Sequence, residues 1–216
     1  GPAVIAGAAI FRSEEGVGED GNTLVTQVQN MEGEVLGSIW VHNIGALNVG
    51  NAGEGTGGTT SAGGDIEITA SSPVTVVADM TLGGDLTITA TEDAAVGDDI
   101  TVNAGVTVQS TGGNVILQAG DNVYLASGST IIAAGGVEIY GDYGDLDAGT
   151  GSVIDMHGAI TALSVLVEGG DDGDTVVVPG ITSQTTVNTG GGDDVIYVGS
   201  NATATGNTGG TMDGIQ

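Results

Sequence analysis

GGDIEITA (63–70) and GGDLTITA (83–90) are one phrase written twice: two glycines, an Asp, then β-branched and apolar residues in alternation. It returns with variations as GDDITVNA (97–104), GGNVILQA (112–119), AGDNVYLA (119–126) and GGVEIYGD (135–142). Gly, Asp and Asn favour tight turns, whereas Val, Ile and Thr favour strands, so each copy predicts a turn followed by one short strand. A strand of this length cannot bury its own apolar face. Repeating one unit along a chain solves the problem by stacking each copy on the next. The repeat therefore predicts an all-β, right-handed parallel β-helix (a β-solenoid), built as a single stacked rod. A β-sandwich also uses short strands, but it joins them with Asn-Gly or Asp-Gly hairpin turns. Here the turn before each strand reuses one template, which suits parallel stacking.

Between the phrases lie shorter apolar runs, PVTVVADMTL (73–82), AGVTVQS (104–110), SGSTIIA (127–133) and GSVIDMHG (151–158). One coil thus holds two or three strands in about 20–25 residues. Alternate residues of a strand point inward, so in GGDLTITA the core set is Leu86 and Ile88 and the outward set is Thr87 and Thr89. Some nine coils rising about 4.8 Å each give a rod of roughly 45 Å. The expected organisation is an irregular N-terminal segment or cap over 1–35, solenoid coils over 36–160, and Gly/Asp-rich coils over 161–216. Within this frame SEEGVGEDGN (13–22) reads as an acidic loop, and its Glu14, Glu15, Glu19 and Asp20 as solvated. NAGEGTGGTTSAGG (51–64) reads as a mobile Gly/Thr-rich loop. Residues 201–216 read as the start of a further coil.

The composition agrees. Glycine supplies 42 of 216 residues without a collagen period, yet 39% of the chain is hydrophobic and only 3% aromatic, so the core must be aliphatic. Cysteine is absent, which excludes disulfides, zinc-thiolate sites and a Cys nucleophile. Gly1-Pro2 reads as the scar of a protease cut, so the chain reads as a piece of a longer protein.

Charge narrows the functional classes. A single basic side chain, Arg12, faces 28 acidic ones, for a net charge of −27. Nothing here can neutralise phosphates, which argues against nucleic acid as a partner and against an anionic membrane surface. No stretch has the length and apolarity of a membrane-spanning helix, so membrane insertion is not expected. The acidity does call for counter-cations.

Two groups of aspartates are candidate ligands. GGDDGDTVV (169–177) and TGGGDDVIY (189–197) supply Asp171, Asp172, Asp174, Asp193 and Asp194. Asp174 and Asp194, one coil apart, are expected at equivalent corners. At about 5 Å two such charges repel by about 1 kcal/mol in water and 3–4 kcal/mol at an effective dielectric of 20. A hard divalent ion reverses that sign, and Ca²⁺, with its six to eight oxygen ligands, suits carboxylates beside Gly turns better than Mg²⁺ does. GDYGDLDAGTG (141–151) is a second candidate, through Asp142, Asp145 and Asp147. The alternative is that all are ordinary solvated turns.

These two segments resemble the calcium-binding nonapeptide G-G-x-G-x-D-x-U-x of parallel β-roll proteins, in which U is large and apolar. Gly169, Gly170, Asp174 and Val176 match in the first copy, with Asp172 in place of a Gly. Gly190, Gly192, Asp194 and Ile196 match in the second, with Thr189 in place of a Gly. More widely, residues 36–216 resemble the repeat regions of large bacterial surface and secreted adhesins, of the filamentous-haemagglutinin-like and repeats-in-toxin type. The resemblance implies a right-handed β-helix, secretion to the bacterial cell surface, calcium, and a structural or adhesive task with self-association or an adhesion ligand as its contact.

Catalysis is not expected. Uronate lyases need cationic groups, and this chain has Arg12 alone. Hydrolases of polysaccharides need paired carboxylates in a cleft, with aromatic platforms for sugars. Carboxylates abound, but Trp40, Phe11 and four tyrosines are the whole aromatic set. His42 and His157 fit no metal or triad spacing. The remaining alternative to a rod is a carbohydrate-binding or carbohydrate-cleaving β-helix, which would show a cleft with close carboxylates and an exposed aromatic.

Overall fold

The structure, a computed structural model, describes residues 1–53, 58, 60–71, 73–180 and 182–207. All its regular elements are strands, and all but one of the strand pairings are parallel. The architecture is a parallel β-helix.

A broad face of nine strands runs in chain order from Val4–Ile5 through Ile66–Ala70, Leu86–Ala90, Val115–Ala119 and Val137–Tyr140 to Ser164–Glu168 and Gln184–Asn188. The second sheet divides at the strand Asn30–Val35. Asn30 and Met31 pair with Asn48 and Val49, whereas Glu34 and Val35 pair with Ser61 and Ala62. From that strand one branch continues through Val74–Val76, Ile100–Val102, Val123–Leu125, Val153–Met156, Thr175–Val178 and Val195–Val198. The other continues through Met80–Leu82, Thr107–Ser110, Thr130–Ala133 and Ala159–Thr161. A full coil therefore has three strands, one on each face.

The core is a stack of identical positions. Ile39, Ile66, Leu86, Val115, Val137 and Val165 are register partners in successive coils, and so are Val41, Ile68, Ile88, Leu117, Ile139 and Val167. All twelve are buried. Leu86 and Ile88 point inward and Thr87 and Thr89 are half-buried on the outer side, as the alternation predicts.

The recurring Asp or Asn before the broad-face strands has a backbone task. Asp65 Oδ1 accepts from the Asp85 amide at 2.9 Å, Asp85 Oδ1 from the Asn114 amide at 2.7 Å, and Asn114 Oδ1 from the Gly136 amide at 2.8 Å. Each carboxylate or amide oxygen thus satisfies a corner N–H of the next coil, which would otherwise lack a partner.

The structure refines or corrects the sequence reading at several points. PVTVVADMTL is two strands, Val74–Val76 and Met80–Leu82, because the chain turns a corner through 77–79. The expected loop over 51–64 contains the strand Thr60–Ala62, although its residues 54–57 and 59 lie outside the described residues. Coil lengths also vary more widely than expected: the ladder partners are 27, 20, 29 and 22 residues apart. The long coils carry extra chain in corner loops. Residues 1–35 already contribute strands to both sheets, with Val4–Ile5 on Leu24–Gln27 and Ala8–Ser13 on Asn30–Val35. The coil expected over 201–216 is described only to 207, where Ala202–Thr203 and Gly206–Asn207 form a small antiparallel pair.

Candidate metal centre

One corner collects the acids. It joins the broad face to the branch that runs from Val74–Val76 to Val195–Val198, and its successive loops are 91–99, 120–122, 141–152, 169–174 and 189–194. Parallel register stacks these loops, so residues far apart in sequence become neighbours.

Two carboxylate groups result. Oxygens of Glu92, Asp121 and Asp147 lie within 4.8 Å of one another, and so do oxygens of Asp142, Asp145 and Asp172. Glu92 is 7% exposed, Asp121 6% and Asp142 5%. Asp121 Oδ2 accepts from the amides of Gly97 and Asp98, and Asp172 Oδ2 accepts from the Gly149 amide. By contrast, both carboxylate oxygens of Glu92, Asp142 and Asp147 are buried without a hydrogen-bond partner. Buried carboxylates left this way are costly unless something positive faces them.

Small residues make the room. A Cβ at Gly120 would collide with Glu92 Oε2, and one at Gly170 with Asp142 Oδ2. Asp142 and Asp145 have positive φ values of 51° and 43°, a left-handed conformation that Asp tolerates better than most residues.

The electrostatics follow. Burial pushes the Glu92 carboxyl up to about 7, and the charges of Asp147, Asp121, Asp98 and Asp142 add to it. Burial also pushes Asp142 up to about 6, reinforced by Asp145, Asp174, Asp172 and Asp147. Asp98 is raised by burial, against a hydrogen bond from the Asp93 amide. No side-chain cation relieves the corner. Arg12 stands 3.5 Å from Glu34 on an exposed surface, His157 pairs with Asp155, and His42 lies on the broad face.

The sequence-predicted ligands fall into four sets. Asp142, Asp145 and Asp172, drawn from two separate candidate segments, meet in one group, while Asp147 joins the other. Asp174 and Asp194 do stand at equivalent positions of adjacent coils, but they are bonded differently from the facing carboxylates expected. The Asp174 amide donates to Asp194 Oδ1 at 3.0 Å, and Asp174 Oδ1 accepts from the Ser152 amide and hydroxyl at 2.7 and 2.8 Å. The first of these bonds, with one from the Thr189 hydroxyl, lowers the Asp194 carboxyl below its usual range. Asp174 itself is raised by burial, and its Oδ2 is buried and unpartnered. Asp171 and Asp193 are exposed. Sequence reasoning missed Glu92 and Asp121. Their only signal was position, since each follows a broad-face strand, at Thr91-Glu92 and Gly120-Asp121.

Three oxygens within 4.8 Å can share one coordination shell, because Ca–O distances of about 2.3–2.6 Å allow oxygens on opposite sides of an ion to be about 5 Å apart. The donors are all hard oxygens, with no His or Cys, so the corner suits a hard divalent cation. Beside it, a cleft of about 350 Å³ is lined by Tyr140, Tyr143, Asp142, Glu168 and Asp171 among others. The two tyrosine rings meet edge-on, with centroids 5.9 Å apart.

Compared with known protein families, curated proteins and solved structures, the chain matches none of them.

Proposed function

We propose that this chain is a structural and adhesive rod segment of a large extracellular bacterial surface protein, stabilised by Ca²⁺ along its acidic corner. The observation that carries this reading is the row of buried carboxylates that no side-chain cation of the chain faces. An external divalent ion turns their mutual repulsion into a cross-link between coils. The regular strands of its outer faces suit a rod whose function is reach. Among the described residues Val4–Ile5 and Gln184–Asn188 are the outermost strands of the broad face; an edge strand can accept another strand, so end-to-end self-association belongs to the proposal.

The test is thermal melting in CaCl₂ against EGTA. An ion at a hundred times its Kd adds about 2.7 kcal/mol, a rise on the order of 5–10 °C for a chain of this size. Identical melting curves would remove calcium from the reading.

A second reading, a carbohydrate-binding β-helix, is favoured by the cleft at Tyr140 and Tyr143, where a 43% exposed tyrosine borders several carboxylates. Glycan-array binding that disappears in Tyr143→Ala, and only there, would support it.

A further inference from the structure

The acidic corner contains two carboxylate groups that share one loop, and the sequence motif accounts for neither as it stands. The inner group is the less expected. Glu92 comes from the loop 91–99, Asp121 from the tight corner 120–122 and Asp147 from the loop 141–152. Each belongs to a different coil, and none lies in the Gly/Asp segments at 169–177 and 189–197. We infer that Glu92, Asp121 and Asp147 form a separate interior divalent-cation site that binds Ca²⁺ and ties three successive coils together, coupled to the Asp142–Asp145–Asp172 site through the loop they share.

Three observations carry it beyond a mere cluster of acids. Glu92 is more than nine-tenths buried, and neither of its oxygens has a hydrogen-bond partner; both oxygens of Asp147 are in the same state. The cavity that receives Glu92 is kept open by Gly120, where any Cβ would strike the carboxylate. Asp121 is fixed by the amides of Gly97 and Asp98, so one ligand is already oriented by backbone. Such a site is preorganised on one side and completed by a loop on the other.

The coupling follows from connectivity. Asp142 and Asp145 serve the outer group and Asp147 the inner one, all within a few residues. An ion in either site restricts the loop and removes part of the ordering cost for the other, which is positive cooperativity. Typical coupling of this kind is about 5–150-fold in affinity.

This inference rests on the corner being cation-binding, and the experiment separates the two. Bound Ca²⁺ per chain is counted by equilibrium dialysis and native mass spectrometry on the full chain, for the wild type, Glu92→Gln, Asp121→Asn, Asp172→Asn and Glu67→Gln. Glu67, on the broad face away from the corner, controls for the loss of one charge. Circular dichroism checks the fold, and the Gln and Asn replacements keep each side chain's shape. The expected result is one ion fewer than wild type in Glu92→Gln and in Asp121→Asn, one fewer in Asp172→Asn, and an unchanged count in Glu67→Gln. The ion that remains in each corner variant should bind about tenfold more weakly. Tb³⁺ luminescence excited through Tyr140 and Tyr143 should show the same stoichiometry. A full count in Glu92→Gln and Asp121→Asn, with loss only in Asp172→Asn, overturns the interior site and leaves the calcium rod standing. No bound ion in the wild type overturns both.

Discussion

Glu92 and Asp142 show how a β-helix can place acids where water would not. Each is buried, each is raised by that burial and by neighbouring carboxylates, and each has no hydrogen-bond donor to its oxygens. The consequence for pH has a definite sign. With folded values near 7 and 6, above the ordinary carboxylate range, the folded state without metal holds protons that the unfolded chain has released. Stability of the metal-free protein should therefore be greatest below about pH 4.5 as far as these groups decide it, and be lost as pH rises through 6 and 7. The groups facing Glu92 are Asp98, Asp121, Asp142 and Asp147, all acidic, so nothing nearby cancels the trend. Melting of metal-stripped protein between pH 5 and 8 checks this. In saturating Ca²⁺ the slope should reverse, because protons then compete with the ion. Gly170 makes a second residue-scale case. Its φ is +135° and a Cβ there would meet the Asp142 carboxylate, so Gly170→Ala should weaken Ca²⁺ binding and lower the melting temperature in a titration against the wild type.

Strands and corners divide the work differently. A broad-face strand contributes two or three inward aliphatic side chains to a stack that runs the length of the rod. Ile88, fully buried between Ile68 and Leu117, should cost about 2–5 kcal/mol when replaced by Ala, whereas Thr87→Ala on the same strand should stay within about 0.5 kcal/mol. Urea denaturation of the two variants reads the difference. The corner before the strand depends on its Asx rung. Asp85 Oδ1 accepts from both the amide and the side-chain nitrogen of Asn114, so Asp85→Ala should cost about 1 kcal/mol. Asp85→Asn keeps the oxygen and removes one negative charge from a chain at −27, and should leave urea stability unchanged or raised. The copy at Asn114 already does the same job without charge.

At the scale of the whole molecule, the rod is a column of coils in which each contacts only its neighbours, so stability should be local. Among the described residues the strands at both ends are the least covered, with Ile5 72% exposed and Val195 and Ile196 40% and 45% exposed. Hydrogen exchange should therefore be faster at Val4–Ile5, Ala8–Ser13 and Gln184–Asn188 than at Leu86–Ala90 and Val115–Ala119, with Ca²⁺ slowing the coils between 91 and 174 most. The chain's own sequence determined the architecture, because a strand's two-residue period and a Gly-Asp turn are local chemistry, visible in GGDLTITA without any partner. It also determined which side of each strand meets the core. The meeting of Glu92 with Asp121 and Asp147, and of Asp142 with Asp172, was decided only by the tertiary structure. Coils of 20, 29 and 22 residues break any fixed spacing between equivalent corners, so corner neighbours follow from hydrogen-bond register between coils and from the path of the inserted loops, neither of which is written in the local pattern.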